Sequence, residues 1–541
     1  MARSHRLMPQ AVLTGLLLSI STGILPLTAL AATPDSQTSS TDSLVTPTIT
    51  QVQIVGNTVL TAADLAPILK PLQGQSLSSE QVKAAADAIT QLYLKQGYLT
   101  SSAHFDPQAV SGGVATIQAT EGTIDQIEIH GLKQTKPGYV RSRLDLDPTQ
   151  PFNATRTEEK LRLLRADPLF RKLTSRLQPS ATPGKSTLIV EIEEEKSISG
   201  SVSFDNYSPI AIGGERVGVG LSYRNLTGWG DTLSASYSRT TTGGANLYDF
   251  NYSLPVNPMN GTVSLRYALN DYRITDPAFA ALNINGKNRL YDLTYRQPVI
   301  RTPQEELAFS VGLTHQSGQT FLFQNLATPF GIGPDPDGVS TTSVVHIGQD
   351  YTRRDLKGVW ALRSQFNIGT GFAGATFFTT PNAGFFSWTG QVQRVQMLSP
   401  DAVFLASLDT QLSADPLLPS QQFVIGGGNS LRGFRQNARS ADNGVRLSLE
   451  TRFTALRESQ TKRSLLQVAP FIDLGTVWND SRNPNPLPSQ NFLAAGGVGL
   501  IVEPVEHLVL RVDGALPFVN LKERGNNLQD AALYFNASYQ F

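Results

Sequence analysis

Arg432 and Asp473 are the residues whose types and setting most suggest specific chemistry, and that chemistry is charge pairing. Arg432 lies in Gly426-Gly427-Gly428-Asn429-Ser430-Leu431-Arg432-Gly433-Phe434, inside the longest connection of the C-terminal region. Asp473 lies in Phe471-Ile472-Asp473-Leu474-Gly475, where a period of two puts Phe471, Asp473 and Gly475 on one face of a strand. A buried guanidinium needs a carboxylate, because its fork of donors matches the two acceptor oxygens. The expectation is that Leu431, Arg432, Gly433 and Phe434 fold back onto Phe471, Asp473 and Gly475, in a lumen wide enough to be wet. A glycine-rich surface turn beside an unrelated core aspartate is the competing reading.

Nothing else in the sequence points to catalysis, a metal or a cofactor. The chain has no cysteine, which removes a disulfide framework, a thiolate metal site and a Cys nucleophile. Its histidines (His5, His104, His130, His315, His346, His507) are scattered without metal-ligand spacing. Gly369-Thr370-Gly371-Phe372-Ala373-Gly374 fits G-x-G-x-x-G but ends a strand with no helix after it, the wrong context for a dinucleotide. With 44 basic and 44 acidic residues there is no basic excess to attract nucleic acid. The run Glu193-Glu194-Glu195 reads as a solvated linker.

The elements that must hold the Arg432 segment come from periodicity. Residues 1–31 read as a signal peptide: Arg3 and Arg6, an apolar stretch from Ala11 to Leu30, then Ala29-Leu30-Ala31 as the cleavage pattern. Residues 32–47 are Ser/Thr/Pro-rich and read as a flexible leader. Beyond them no apolar run is long enough for a membrane helix. Residues 48–195 hold a weak repeat. Ile49 to Gly56 and Ile124 to Gly131 alternate alike and stop at glycine, and each is followed by two helical segments and closing strands. Ser78 and Gln81 predict a capping box for a helix carrying Val82, Ala85, Ile89 and Leu92 and ending at Gly97. Thr155 and Glu158 predict the cap of a helix carrying Leu161 and Leu164. Residues 48–122 and 123–195 are thus two small α+β modules.

From residue 196 to Phe541 the period is two throughout, with one apolar face and one polar or very small face. A soluble sandwich does not leave Arg and Asn on an inner face, whereas a transmembrane barrel does. Sixteen runs begin near residues 198, 215, 232, 245, 261, 288, 304, 341, 359, 385, 401, 443, 465, 492, 506 and 533. Short links follow even-numbered runs (Thr227 to Asp231, Ser399 to Asp401) and long ones follow several odd-numbered runs (Tyr272 to Lys287, Ser317 to Ser340, Ser413 to Asp442). Short periplasmic turns and long outer loops give that asymmetry.

With these residues in place, the chain resembles POTRA–barrel outer-membrane proteins. Leu431-Arg432-Gly433-Phe434 looks like their (V/L)RG(Y/F) signature, Phe471/Asp473 like the matching wall motif, Asn225-Leu226-Thr227-Gly228-Trp229-Gly230-Asp231 like their first periplasmic turn, and Phe541 like their C-terminal assembly signal. Two POTRA modules suggest the transporters of two-partner secretion, of the FhaC/ShlB/HecB type. The resemblance implies a Gram-negative outer membrane with the POTRA domains in the periplasm. It also implies a large β-helical partner that is unfolded in transit, and the barrel-assembly machinery acting through the C-terminal strand. An insertase of the BamA type is the alternative, and a porin leaves both modules unexplained. Some such transporters begin with a helix that plugs the pore, for which residues 32–47 look too short and too polar.

Overall fold

The structure, a computed structural model, describes residues 49–323, 326–329 and 331–541. The signal-peptide and leader segments, 1–31 and 32–47, lie outside the described residues.

The first α+β module contains strands Gln51–Val55, Ser102–Phe105 and Val114–Thr120, with Val114–Thr120 in the middle of the sheet. Its long helix, Ser79–Lys95, starts where the sequence predicts it. The Ser78 hydroxyl accepts from the Gln81 amide at 3.2 Å, and the Gln81 side chain accepts from the Ser78 amide at 2.8 Å. This reciprocal cap satisfies two donors that the helix cannot. Val82, Ala85, Ile89 and Tyr93 are buried against the sheet, each large apolar side chain contributing about 1.5–3 kcal/mol by leaving water.

The same order recurs in strands Thr123–His130, Phe170–Pro179 and Lys185–Glu194 and helices Pro137–Leu144 and Ala154–Arg165, with Lys185–Glu194 central. The repeat is geometrical as well as sequential. Gly56 and Gly131 both leave their strands with φ near +85°, and a Cβ on them would stand 2.3 Å from the Ala119 carbonyl oxygen and 2.0 Å from that of Ile192. Only glycine tolerates that conformation and that approach. Two sequence expectations fail in this region. Thr155 lies inside its helix, which begins at Ala154, and Glu158 pairs with Arg162 and Arg165 at 3.1 and 2.9 Å. Glu194 is part of a strand and makes specific hydrogen bonds, described below, so the acidic run is no solvated linker. Both misreadings come from judging a polar residue without knowing which neighbours the fold brings to it.

Sixteen antiparallel strands then close into a barrel. In order they are Ile198–Asp205, Arg216–Arg224, Thr232–Thr240, Ala245–Pro255, Thr262–Arg273, Asn285–Arg301, Glu305–Leu322, Val339–Asp355, Gly358–Thr370, Phe386–Ser399, Ala402–Ser413, Asn443–Arg457, Ser464–Trp478, Phe492–Val505, Leu508–Pro517 and Leu533–Gln540. The two-residue strand Leu326–Ala327 pairs beside strand seven. Strand sixteen returns to strand one, Ala537 facing Phe204, so no sheet edge is left in the membrane. Observed starts differ from the sequence reading by three residues at most. Strands six, seven and eight run further outward than read, which shortens the connections around them. Ladder hydrogen bonds do not require apolar side chains, so pairing continues past the point where the apolar alternation stops.

The faces sort as a membrane barrel requires. On strand six Tyr291 and Leu293 are 47% and 52% exposed and flank the buried Asp292. Inward arginines meet inward carboxylates, as Arg266 meets Asp249. Purified in detergent, the protein is expected to give a β-dominated circular dichroism spectrum and to migrate differently on gels after heating. A largely helical spectrum would contradict this fold.

Candidate functional site: the loop seated in the barrel

The connection between strands eleven and twelve, residues 414–442, does not stay outside. Its short hairpin pairs Phe423–Ile425 with Arg439–Ala441. An apolar cluster of Phe423, Ile425, Leu431, Phe434 and Ala441 packs against Val477, Leu493 and Ala495 of the wall. The turn at Gly433 (φ +99°) needs glycine, because a Cβ there would stand 2.7 Å from that of Ala495. The Gly433 amide donates to the Tyr534 hydroxyl at 2.9 Å, which donates onward to the Phe434 carbonyl at 2.6 Å.

This turn delivers Arg432 to the wall. Its Nε and Nη2 donate to the two oxygens of Asp473 at 2.7 and 2.9 Å, and its own amide donates to Asp473 at 3.0 Å. The guanidinium lies over the Phe471 ring, 3.3 Å from the centroid, adding a cation–π contact. Leu431 packs onto Gly475, where a Cβ would come within 2.9 Å of its side chain. All seven residues singled out in the sequence therefore meet at one place, and the surface-turn alternative fails.

The pair is not solitary. Arg432 Nη1 donates to Glu450 at 2.7 Å and stands 3.5 Å from Asp513. Arg511 joins Glu450 and Asp513, both at 2.7 Å, and Arg452 donates to Glu450 at 2.7 Å. The Ser448 hydroxyl donates to Asp473 at 2.6 Å. Arg432, Arg452 and Arg511 thus balance Glu450, Asp473 and Asp513. The Arg432 side chain is 6% exposed and that of Asp473 0%, so the wet environment expected from the lumen's width is absent here. A second anchor clips the loop to the last outer connection: Arg435 grips Asp530 through two bonds of 2.6 and 2.8 Å.

Glu450, Arg511, Asp513 and Tyr534 escaped the sequence reading. A signal existed for Arg511, which sits between Leu510 and Val512. A charge flanked by outward apolar residues in a spanning strand must face inward and needs a partner. Sequence alone does not say which partner.

Phe541 sits elsewhere, on the membrane-facing seam. Its backbone exchanges hydrogen bonds of 3.0 and 2.8 Å with Gly200 of strand one. Its ring lies against Gly200 and remains exposed.

The second module meets the barrel at the first periplasmic turn. Asn225 Nδ2 donates to the Thr135 hydroxyl at 2.8 Å, the Lys136 amide donates to the Gly228 carbonyl at 2.9 Å, and Lys136 lies over the Trp229 ring. Arg143 donates to Asn260 in the next turn at 2.7 Å. Glu194 accepts from the amides of Gln134 and Thr135 at 3.0 and 2.7 Å. Burial pushes the Glu194 carboxyl up, but the bonds from Thr135 and Gln134 outweigh it and hold the group below the usual carboxylate range.

Comparison with known proteins agrees with this architecture. Residues 48–122 match the POTRA domain of the ShlB type. The chain is 24% identical over 468 residues to "Outer membrane transporter CdiB" of Dickeya dadantii, covering 84% of this chain and 80% of that protein. It is 24% identical over 498 residues to "Heme/hemopexin transporter protein HuxB" of Haemophilus influenzae, covering 87% and 84%. In fold it resembles the structure of CdiB from Escherichia coli, with a TM-score of 0.69 at 22% identity over 91% of this chain and 90% of that one. The structure of BamA from Haemophilus ducreyi lacking POTRA domains 1–3 also shares the fold, with a TM-score of 0.56 at 15% identity over 91% of this chain and 100% of that one. Residues 184–502, more than half of the sequence, match haemolysin secretion/activation protein ShlB/FhaC/HecB, and the chain belongs to that family.

Proposed function

We propose that this outer-membrane translocator of two-partner secretion takes an unfolded partner protein onto the sheet edges of its periplasmic modules and passes it through the barrel lumen. The observation that carries the reading is one chain uniting a POTRA-type domain with a sixteen-stranded barrel whose lumen holds a loop locked by buried charges. A barrel of that size encloses an aqueous channel, and the loop occupies part of it. Residues 431–434 with Phe471, Asp473 and Gly475 act as the lock that sets the loop's position during transport. Residues 123–195 act as a second POTRA domain. Thr123–His130 is an edge strand beside a groove of about 620 Å³ lined by Ile127, Ile129, Arg141 and Pro148. An extended client can add a strand there, its backbone supplying affinity without demanding one sequence.

The periplasm holds no ATP, so the client's folding outside supplies the direction of transport. The partner is large, β-helical and unfolded in transit. Phe541 and strand sixteen before it serve as the signal for the barrel-assembly machinery. The transporters CdiB and HuxB favour export over the insertase reading, because likeness to BamA at 15% identity concerns the fold alone.

Deleting the gene separates the two. Export predicts that one large protein disappears from the medium while outer-membrane barrels keep their levels. General depletion of barrels would overturn export in favour of insertion.

A further inference from the structure

The arginines facing the lumen are matched by carboxylates, as with Arg266 and Asp249 or Arg446 and Asp409. Four cations at the outer ends of strands three, five and six are not. Arg239, Arg273, Lys287 and Arg289 are exposed, and among the described residues none forms an ion pair or a side-chain hydrogen bond.

Register and alternation place them on the membrane-facing side. On strand six the odd-numbered residues point outward, since Tyr291 and Leu293 are exposed and Asp292 is buried. The same holds for Leu233 on strand three and Leu265 on strand five. Rows across the wall can then be read upward. Phe250, Tyr267 and Tyr291 face one another and form a ring-to-ring belt, with centroids 6.4 and 5.0 Å apart. The next outward row is Tyr237, Tyr248, Leu269 and Arg289. The one beyond is Arg239, Asn246, Asp271 and Lys287. At about 3.3 Å per residue, Arg289 and Lys287 stand roughly 7 and 13 Å beyond Tyr291 along the strand. Aromatic belts mark the level where acyl chains give way to headgroups, so the cations lie at and just above the headgroups of the outer leaflet.

The patch is local. Near their outer ends strands nine, ten, eleven and thirteen present Ile368, Phe386, Leu412 and Trp478 outward. Of the carboxylates beside the patch, Asp271 faces Lys287 in register, Glu215 adjoins Thr241 and Asp337 adjoins Gln319, the register partner of Lys287, so four cations stand against three carboxylates. A long, exposed, unpaired cation on a lipid-facing wall gains nothing from its own protein. Beside a membrane it gains from an anionic headgroup whose acyl chains lie against the apolar rows below.

We infer that the outward face of strands three to six, through Arg239, Lys287 and Arg289 with Arg273 at its rim, binds an anionic lipid headgroup of the outer leaflet. Guanidinium groups grip phosphate oxygens bidentately and the ammonium adds a point charge, while the Phe250–Tyr267–Tyr291 belt packs on the lipid's upper chain. The occupant is a lipid because the patch is continuous with the membrane-facing wall.

The test titrates the full-length protein, purified in a neutral detergent, with lipid A and reads bound lipid by native mass spectrometry. Each of Arg239→Gln, Lys287→Gln and Arg289→Gln should weaken binding about fivefold, and the triple variant about a hundredfold. Asp271→Asn should strengthen it about fivefold, and this arm decides the matter if the triple variant fails to give heat-modifiable barrel. A triple variant that binds like the wild type, or an Asp271→Asn variant with no gain, overturns the proposal. So does displacement by inorganic phosphate at the concentration of the bound lipid, which would make the patch a phosphate site indifferent to the membrane.

Discussion

Arg432→Ala is expected to abolish most secretion while the barrel still assembles and still migrates heat-modifiably. The charge it removes is the one that neutralises Asp473, which is fully buried and would keep only two neutral donors, the Ser448 hydroxyl and the backbone amide of residue 432. Breaking one partner of such a pair typically costs about 3–5 kcal/mol, since the other charge stays desolvated. The whole of that range is expected here, because the site is nearly dry. Barrel assembly rests on sixteen ladders of backbone hydrogen bonds and does not need the pair.

The surrounding network makes the singles unequal. Arg432→Ala leaves three carboxylates facing two arginines. Asp473→Ala leaves Arg432 still bonded to Glu450 at 2.7 Å, so its defect should be milder. The double variant restores a balance of two and two and should be no worse than Arg432→Ala alone, since the two changes share one interaction. Lysine at 432 should rescue in part, because an ammonium reaches one carboxylate but cannot hold Asp473 bidentately and Glu450 together. The measurement is client in the medium for each variant, normalised to heat-modifiable barrel. Additive defects in the double variant would show that the residues act separately, and the lock would have to be abandoned.

Removing residues 48–195 is expected to have the other large effect: secretion lost, with the barrel still present in the membrane. As a separate fragment these residues should be soluble and folded, because each module buries its own apolar side chains, Val82, Ile89 and Tyr93 in one and Val140, Leu161 and Leu164 in the other. The fragment should bind an unfolded segment of the client with micromolar-range affinity, about −8 kcal/mol. Calorimetric titration checks the binding, and the deleted strain checks the transport. Intact secretion without the modules would end the strand-addition scheme, whatever the state of the lumenal lock.

Much of this protein follows from periodicity that any reader of the chain can apply. A period of two from residue 196 to residue 541 forces strands, and an apolar face opposite Arg, Asn and Gly forces a barrel in a membrane, because lipid leaves no other way to satisfy a spanning backbone. The capping box at Ser78 and the glycines at 56 and 131 are legible for the same local reason: their geometry depends only on near neighbours. The pairing of Arg432 with Asp473 could be anticipated because a buried guanidinium has few acceptable partners. What only the tertiary structure decided is long-range. Glu450, Arg511 and Asp513 come from strands twelve and fifteen, and closure of the barrel is what carries them to the same guanidinium. The dryness of that site arises from Leu431, Phe434 and the wall residues of distant strands packing around it. Glu194 likewise becomes a hydrogen-bonded anchor only when strand Lys185–Glu194 is laid beside residues 134 and 135. Sequence dictates which groups need a partner, because burial and charge are local properties of a patterned strand. The choice among partners depends on which strands become neighbours, and that is settled by the register of the closed sheet.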